Sequence, residues 1–172
     1  MNMFKFFQHR KYKRMVKKGS TFVLTDLLGI INEMIERLRE EGRIKSPLHE
    51  TILKMESTAL VFWLLRWDAV FPEPIQRMTL DEVHQQYFSN LKKHAGMDSQ
   101  EVQNICDELN HIYKTYDGFM YSSEDFAKIG TEFAKSVSVG AKTELDATEM
   151  TIPIELMDRT RSKFDEYREV MK

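Results

Sequence analysis

Apolar residues recur at every third or fourth position along almost the whole of this chain, and that spacing confines it to one class of fold. Residues three and four apart share a face of an α-helix, so each stretch carries an apolar stripe that must find a neighbour. Leu24, Leu27, Leu28, Ile31, Met34, Ile35 and Leu38 form one such stripe. Val102, Ile105, Cys106, Leu109, Ile112, Tyr113 and Tyr116 form another. No stretch alternates apolar and polar residues for long enough to argue for a sheet. Seven Gly and four Pro in 172 residues are too few for a many-turned β-sandwich or barrel. The expectation is an all-α chain, a single-domain helical bundle of about five to six helices. A basic, aromatic N-terminal helical segment, residues 1–18, is set apart from the bundle domain, residues 19–172.

The punctuation between stripes places the helix ends. A first long helix is expected from Thr21 to Glu41, with Gly42 ending it in the left-handed conformation. Ser46-Pro47 supplies an N-cap and a first-turn proline for a second helix, which runs to about Phe71 and stops at Pro72-Glu73-Pro74. Thr79 and Glu82 have the spacing of a capping box and open a third helix that ends before Gly96. Asp98 and Glu101 repeat that spacing for a fourth, closed by Gly118. Ser122 or Ser123 caps a fifth helix, whose end falls either at Val137–Gly140 or near Thr148. A sixth starts near Pro153. Connections this short favour antiparallel neighbours around one core.

Charge is distributed unevenly. Of the 25 Lys and Arg, seven fall in residues 1–18, which contain no acid, while all 27 acidic residues follow. Phe4, Phe6 and Phe7 interleave with Lys5, Arg10, Lys11, Lys13, Arg14, Lys17 and Lys18. Such a segment suits docking on another protein or on a second copy, then an anionic membrane surface, and last a nucleic acid, because no second basic face is visible. Phe4, Phe7, Arg10, Lys11, Lys13, Arg14, Lys17 and Lys18 are its candidate binding residues.

The segment is not read as a signal peptide, since Phe22-Val23-Leu24-Thr25 runs straight into Asp26 and no small-residue cleavage site follows. The longest apolar run, Ala59 to Leu65, falls far short of the ~20 residues needed to cross a bilayer. Cys106 alone can form no internal disulfide, which favours a reducing cytoplasm, with peripheral membrane association as an extension of that reading.

Three groups could carry chemistry. Glu108-x-x-His111 and Asp81-x-x-His84 have the spacing of carboxylate–histidine metal ligands in bundles. On a helical wheel, however, Glu108 and His111 stand about 100° and 160° from their stripe, which points them to solvent. Asp81, His84, Glu108 and His111 are therefore only a weak alternative metal set, and no cofactor is expected. Trp63, Arg66 and Trp67, on a helix apolar on nearly every side, form a candidate ligand pocket for an anion. The competing reading is an Arg paired to a carboxylate, with Glu56 at the stripe's edge. His94, in the last turn of its helix, suits the carbonyl end of the helix dipole, and Cys106 reads as a small buried hydrophobe. No catalytic triad, nucleophile elbow, phosphate loop or dinucleotide fingerprint occurs. The sequence thus favours a non-catalytic interaction or regulatory protein acting through a partner or an anionic surface. The alternatives are a metal-dependent enzyme and a small-ligand-binding bundle.

Overall fold

The computed structural model describes the backbone of residues 3–68, 70–119 and 123–171, and the side chains of these except 3–9, 123, 124, 126, 170 and 171. Among the described residues there is no strand, and the fold is an all-α bundle.

The N-terminal segment is the first surprise. Helix α1 (Met3–Phe22), a π-helical turn (Val23–Leu27) and α2 (Leu28–Glu40) follow one another without a break, so the expected helix start at Thr21 lies inside a continuous rod. Nothing in this stretch forces an end: it holds no proline, and Gly19 lies against the Phe71 ring and Thr79, where a side chain would not fit. Ser20 and Thr21 hydroxyls both donate to the Lys17 carbonyl, and Thr25 Oγ1 donates to Thr21 O at 2.7 Å. Such back-bonding loosens the regular ladder, and a π turn closes one residue further along than an α turn. The rod therefore changes which face it buries: α1 packs on α4, while α2 packs on α3 and α7.

Helix α3 (Pro47–Trp67) is the centre of the bundle, packed on by α2, α4, α5, α6 and α7. Every residue from Glu56 to Leu65 is buried, which is why this helix reads as apolar all round. Its start follows the sequence: Ser46 Oγ accepts from His49 N at 3.0 Å, and Pro47 occupies the first turn. Gly42 takes the left-handed conformation that the preceding turn requires, with φ of 69°.

Helix α4 (Glu73–His94) departs from expectation. The second helix stops at Trp67 rather than Phe71, and the prolines expected to stop it instead open α4 six residues before the Thr79–Glu82 box. Thr79 is buried inside α4, against α1 near Gly19, and caps nothing. Gln76 ties the corner together: its Nε2 donates to the Leu65 and Arg66 carbonyls at 2.8 and 3.1 Å, and its Oε1 accepts from Phe71 N.

Helix α5 (Ser99–Asp117) has the capping box its sequence announces, with Asp98 accepting from Gln100 N and Glu101 N while Glu101 Oε2 accepts from Asp98 N. Helix α6 (Ser123–Ala141) ends between the two expected points, where Lys142 adopts a φ of 56°. A short 3-10 turn (Ala147–Thr151) then leads into α7 (Ile152–Met171). Gly130 lets α6 abut that turn, since any Cβ there would come within 2.6 Å of the Met150 carbonyl. No helix among the described residues is long and apolar enough to cross a membrane.

Candidate functional sites

The inner face of α1 is Val16, Gly19, Ser20 and Phe22, all buried. Its outer face carries Arg10, Lys11, Lys13, Arg14, Lys17 and Lys18, all exposed. Arg10 engages a neighbour, whereas the other five cations have no acidic partner among the described residues. The side chains of Phe4 and Phe7, also named as candidates, lie outside the described residues. Beside the cations, between α1, the π turn and α7, runs an open groove of about 550 Å³. Phe22 and Tyr167 line it, stacked with ring centroids 4.4 Å apart, together with Arg14, Lys17 and Lys18 and a single acid, Asp26. The Tyr167 hydroxyl is buried without a hydrogen-bond partner.

Trp63, Arg66 and Trp67 do come together, but around a carboxylate that the sequence did not single out. Asp117, the last residue of α5, accepts from Trp63 Nε1 at 3.1 Å, Trp67 Nε1 at 3.2 Å and Arg66 Nη1 at 3.0 Å. The Arg66 side chain is 51% exposed, so it is no buried guanidinium. Its cation also stands 5.9 Å from the Trp67 ring. A carboxylate of the protein thus occupies the position that an external anion would take.

The four residues of the metal alternative are split between two places. His84 is half-buried, with Nε2 2.8 Å from the Tyr113 hydroxyl and its ring against Phe62 and Phe88. Burial pushes its pKa down, and Asp81 opposes this weakly. Glu108 and His111 instead line a cavity on the other side of α5. No group of three or more His, Cys, Asp or Glu converges on a metal position among the described residues. His94 is exposed in the last turn of α4. Cys106 is only half-buried, and its sulfur accepts from Asn110 Nδ2 at 3.7 Å.

Sequence reasoning gave too little weight to Glu56. Its side chain leaves the middle of α3 for that same cavity, about 370 Å³ between α3, α5 and α6. Glu56 is 1% exposed and accepts hydrogen bonds from two neutral donors, Tyr116 Oη at 3.2 Å and Ser136 Oγ. Desolvation pushes its pKa up to about 7; the two hydroxyls oppose this, and Glu108 adds to it. The available signal was an acid in the middle of the most apolar helix among those described, three residues before its longest apolar run.

A second carboxylate escaped notice altogether. Glu149, in the 3-10 turn, is 3% exposed; its Oε1 accepts from Lys45 Nζ at 3.2 Å and stands 3.1 Å from His49 Nε2. His49 is equally buried; its Nδ1 accepts from Lys45 N at 3.0 Å, and its Nε2, though close to Glu149, has no hydrogen-bond partner. Glu149 Oε2 is buried without a hydrogen-bond partner.

Fold and sites together define a helical bundle with a cationic outer helix and an open cavity lined by Glu56, Glu108 and Glu132. Compared with known proteins, the chain matches no family model, no curated protein and no solved structure.

Proposed function

We propose that this chain is a non-catalytic binding protein that docks on an anionic bilayer through the outer face of α1. The observation that carries the reading is the set of five exposed cations, Lys11, Lys13, Arg14, Lys17 and Lys18, which have no acidic partner among the described residues and face away from α4. Had the segment served to offset the acidic remainder of the chain, these charges would meet carboxylates within the fold. The groove beside them favours a bilayer over a nucleic acid. It offers the Phe22 and Tyr167 rings next to cations, which suits a surface that is anionic at its headgroups and apolar beneath. Two of the groups noted in the sequence are engaged internally, His84 with Tyr113 and the two indoles with Asp117, which supports binding rather than catalysis at those positions.

Co-sedimentation with phosphatidylserine-containing vesicles, against neutral vesicles, tests this. Each Lys or Arg near an anionic membrane contributes about 1 kcal/mol. Replacing Lys13, Arg14, Lys17 and Lys18 together by Gln is therefore expected to lower partitioning by roughly 10³-fold, and raised salt should weaken the wild type. Equal partitioning of wild type and variant defeats the reading. Binding to acidic protein or RNA without vesicle binding replaces the bilayer with that partner.

A further inference from the structure

Glu56 presents a physical problem that the fold leaves open. A carboxylate withdrawn from water costs several kcal/mol unless it is paired or neutral. Glu149 meets that condition with Lys45 and His49. Glu56 has only the hydroxyls of Tyr116 and Ser136, and no cation among the described residues pairs with it. It is also not sealed in packed core, because a cavity of about 370 Å³ opens beside it, toward the small end of the pockets that hold small molecules.

The remaining walls select the sign of what can enter. From α5 come Glu108 and His111, and from α6 come Glu132 and Lys135. Lys135 Nζ is held 2.7 Å from Glu132 Oε1, within α6. That leaves Glu108 and Glu56 as the carboxylates without a cationic partner in the cavity. Ile112 and Val139 add apolar surface. We infer that this cavity binds a small organic ammonium ion, with Glu56 receiving the charged head and Ile112 and Val139 meeting the aliphatic body. An ammonium has three donors, and Glu56 with the free lone pairs of the Tyr116 and Ser136 oxygens can accept them. A divalent metal ion is served less well, since it needs several converging oxygen ligands and no such group forms among the described residues.

The ionisation of Glu56 then becomes part of the binding equilibrium. Its carboxyl, pushed up to about 7, is mostly protonated at pH 6 and mostly ionised at pH 8. A cation binds the ionised form, so affinity for an alkylammonium, which stays charged throughout, rises about tenfold between these two pH values. His111, Glu108, Glu132 and Lys135 face the same cavity.

Isothermal titration of the full chain with n-butylammonium chloride at pH 6 and pH 8, with magnesium chloride as a control, tests the proposal. Saturable 1:1 binding is expected, about tenfold tighter at pH 8, lost in Glu56→Gln, and with the pH ratio retained in His111→Asn. Val139 is 78% exposed, so Val139→Trp keeps the core and Glu56 intact while filling the entrance, and it too is expected to abolish binding. This variant decides the matter if Glu56→Gln fails to fold. No saturable binding at pH 8 overturns the proposal, as does equal binding by either cavity variant. Loss of the pH ratio in His111→Asn overturns the assignment of the head group to Glu56. Magnesium binding in place of the amine overturns the ligand class.

Discussion

Glu149 and Glu56 are both almost fully buried, yet one stands against a lysine and a histidine while the other meets only two hydroxyls. The difference follows from where each lies. Glu149 belongs to a 3-10 turn packed on α6 and α7, within reach of His49 from the first turn of α3 and of Lys45 from the loop before that helix. Lys45 is about one-third exposed, so its long stem can bring a charge inward while part of it keeps water. Glu56 projects from the middle of α3 between α5 and α6, and its only hydrogen-bond partners among the described residues are a tyrosine and a serine. The first arrangement fixes an irregular segment in place. The second leaves a carboxyl that can exist in either protonation state, beside a space that could hold its missing partner.

The largest expected effect is on stability as a function of pH. Folded Glu56 holds its proton up to about pH 7, whereas the unfolded chain releases it near the ordinary value of 4.5. The folded state therefore binds the extra proton between those values, and the sign is that stability falls as pH rises. The contribution is full below pH 4.5 and lost above about pH 7, with an amplitude of roughly 3 kcal/mol. Urea unfolding of wild type and Glu56→Gln across this range isolates it as a difference that grows in the variant's favour toward high pH. Parallel curves would mean that folding does not raise the Glu56 carboxyl.

Next in size is Glu149→Gln. It removes the charge facing Lys45 and His49, and because Lys45 can turn toward solvent the expected cost is about 2 kcal/mol rather than the larger penalty of a sealed pair. A change below about 0.5 kcal/mol in the unfolding free energy would mean that the turn is held by packing alone, including the Gly130 contact. Smallest is Asp117→Asn, which tests a third carboxylate in a half-exposed setting. Solvent screening limits its ion pair with Arg66, so about 0.5 kcal/mol is expected. Tryptophan fluorescence should nevertheless change, since both indole N–H groups donate to that side chain.

The elements that could be read in advance are those whose determinants lie within a few residues of one another. Ser46 with His49, Asp98 with Glu101, and the left-handed Gly42 all settle helix ends through bonds local to the chain. The Thr79–Glu82 box has the same local pattern and does not form, because α4 is already under way from Glu73 and Thr79 is covered by α1. Helix α1 likewise runs unbroken across residues 18 and 19. Polar composition marks exposure, not a break, and the helix continues through it.

The basic stretch could be found by counting charges, but its direction could not, since that depends on which face of α1 is taken by α4. The tryptophans and Arg66 were visible as a cluster five residues long, while Asp117, which organises them, lies some fifty residues further along the chain. Glu56 meets hydroxyls still further away, on α5 and α6. Sequence alone determined the helical class, most of the helix ends and the uneven charge, because periodicity, caps and composition act over short distances. The tertiary structure decided which polar groups are buried and with what partners, because desolvation and pairing depend on segments brought together only when the helices pack.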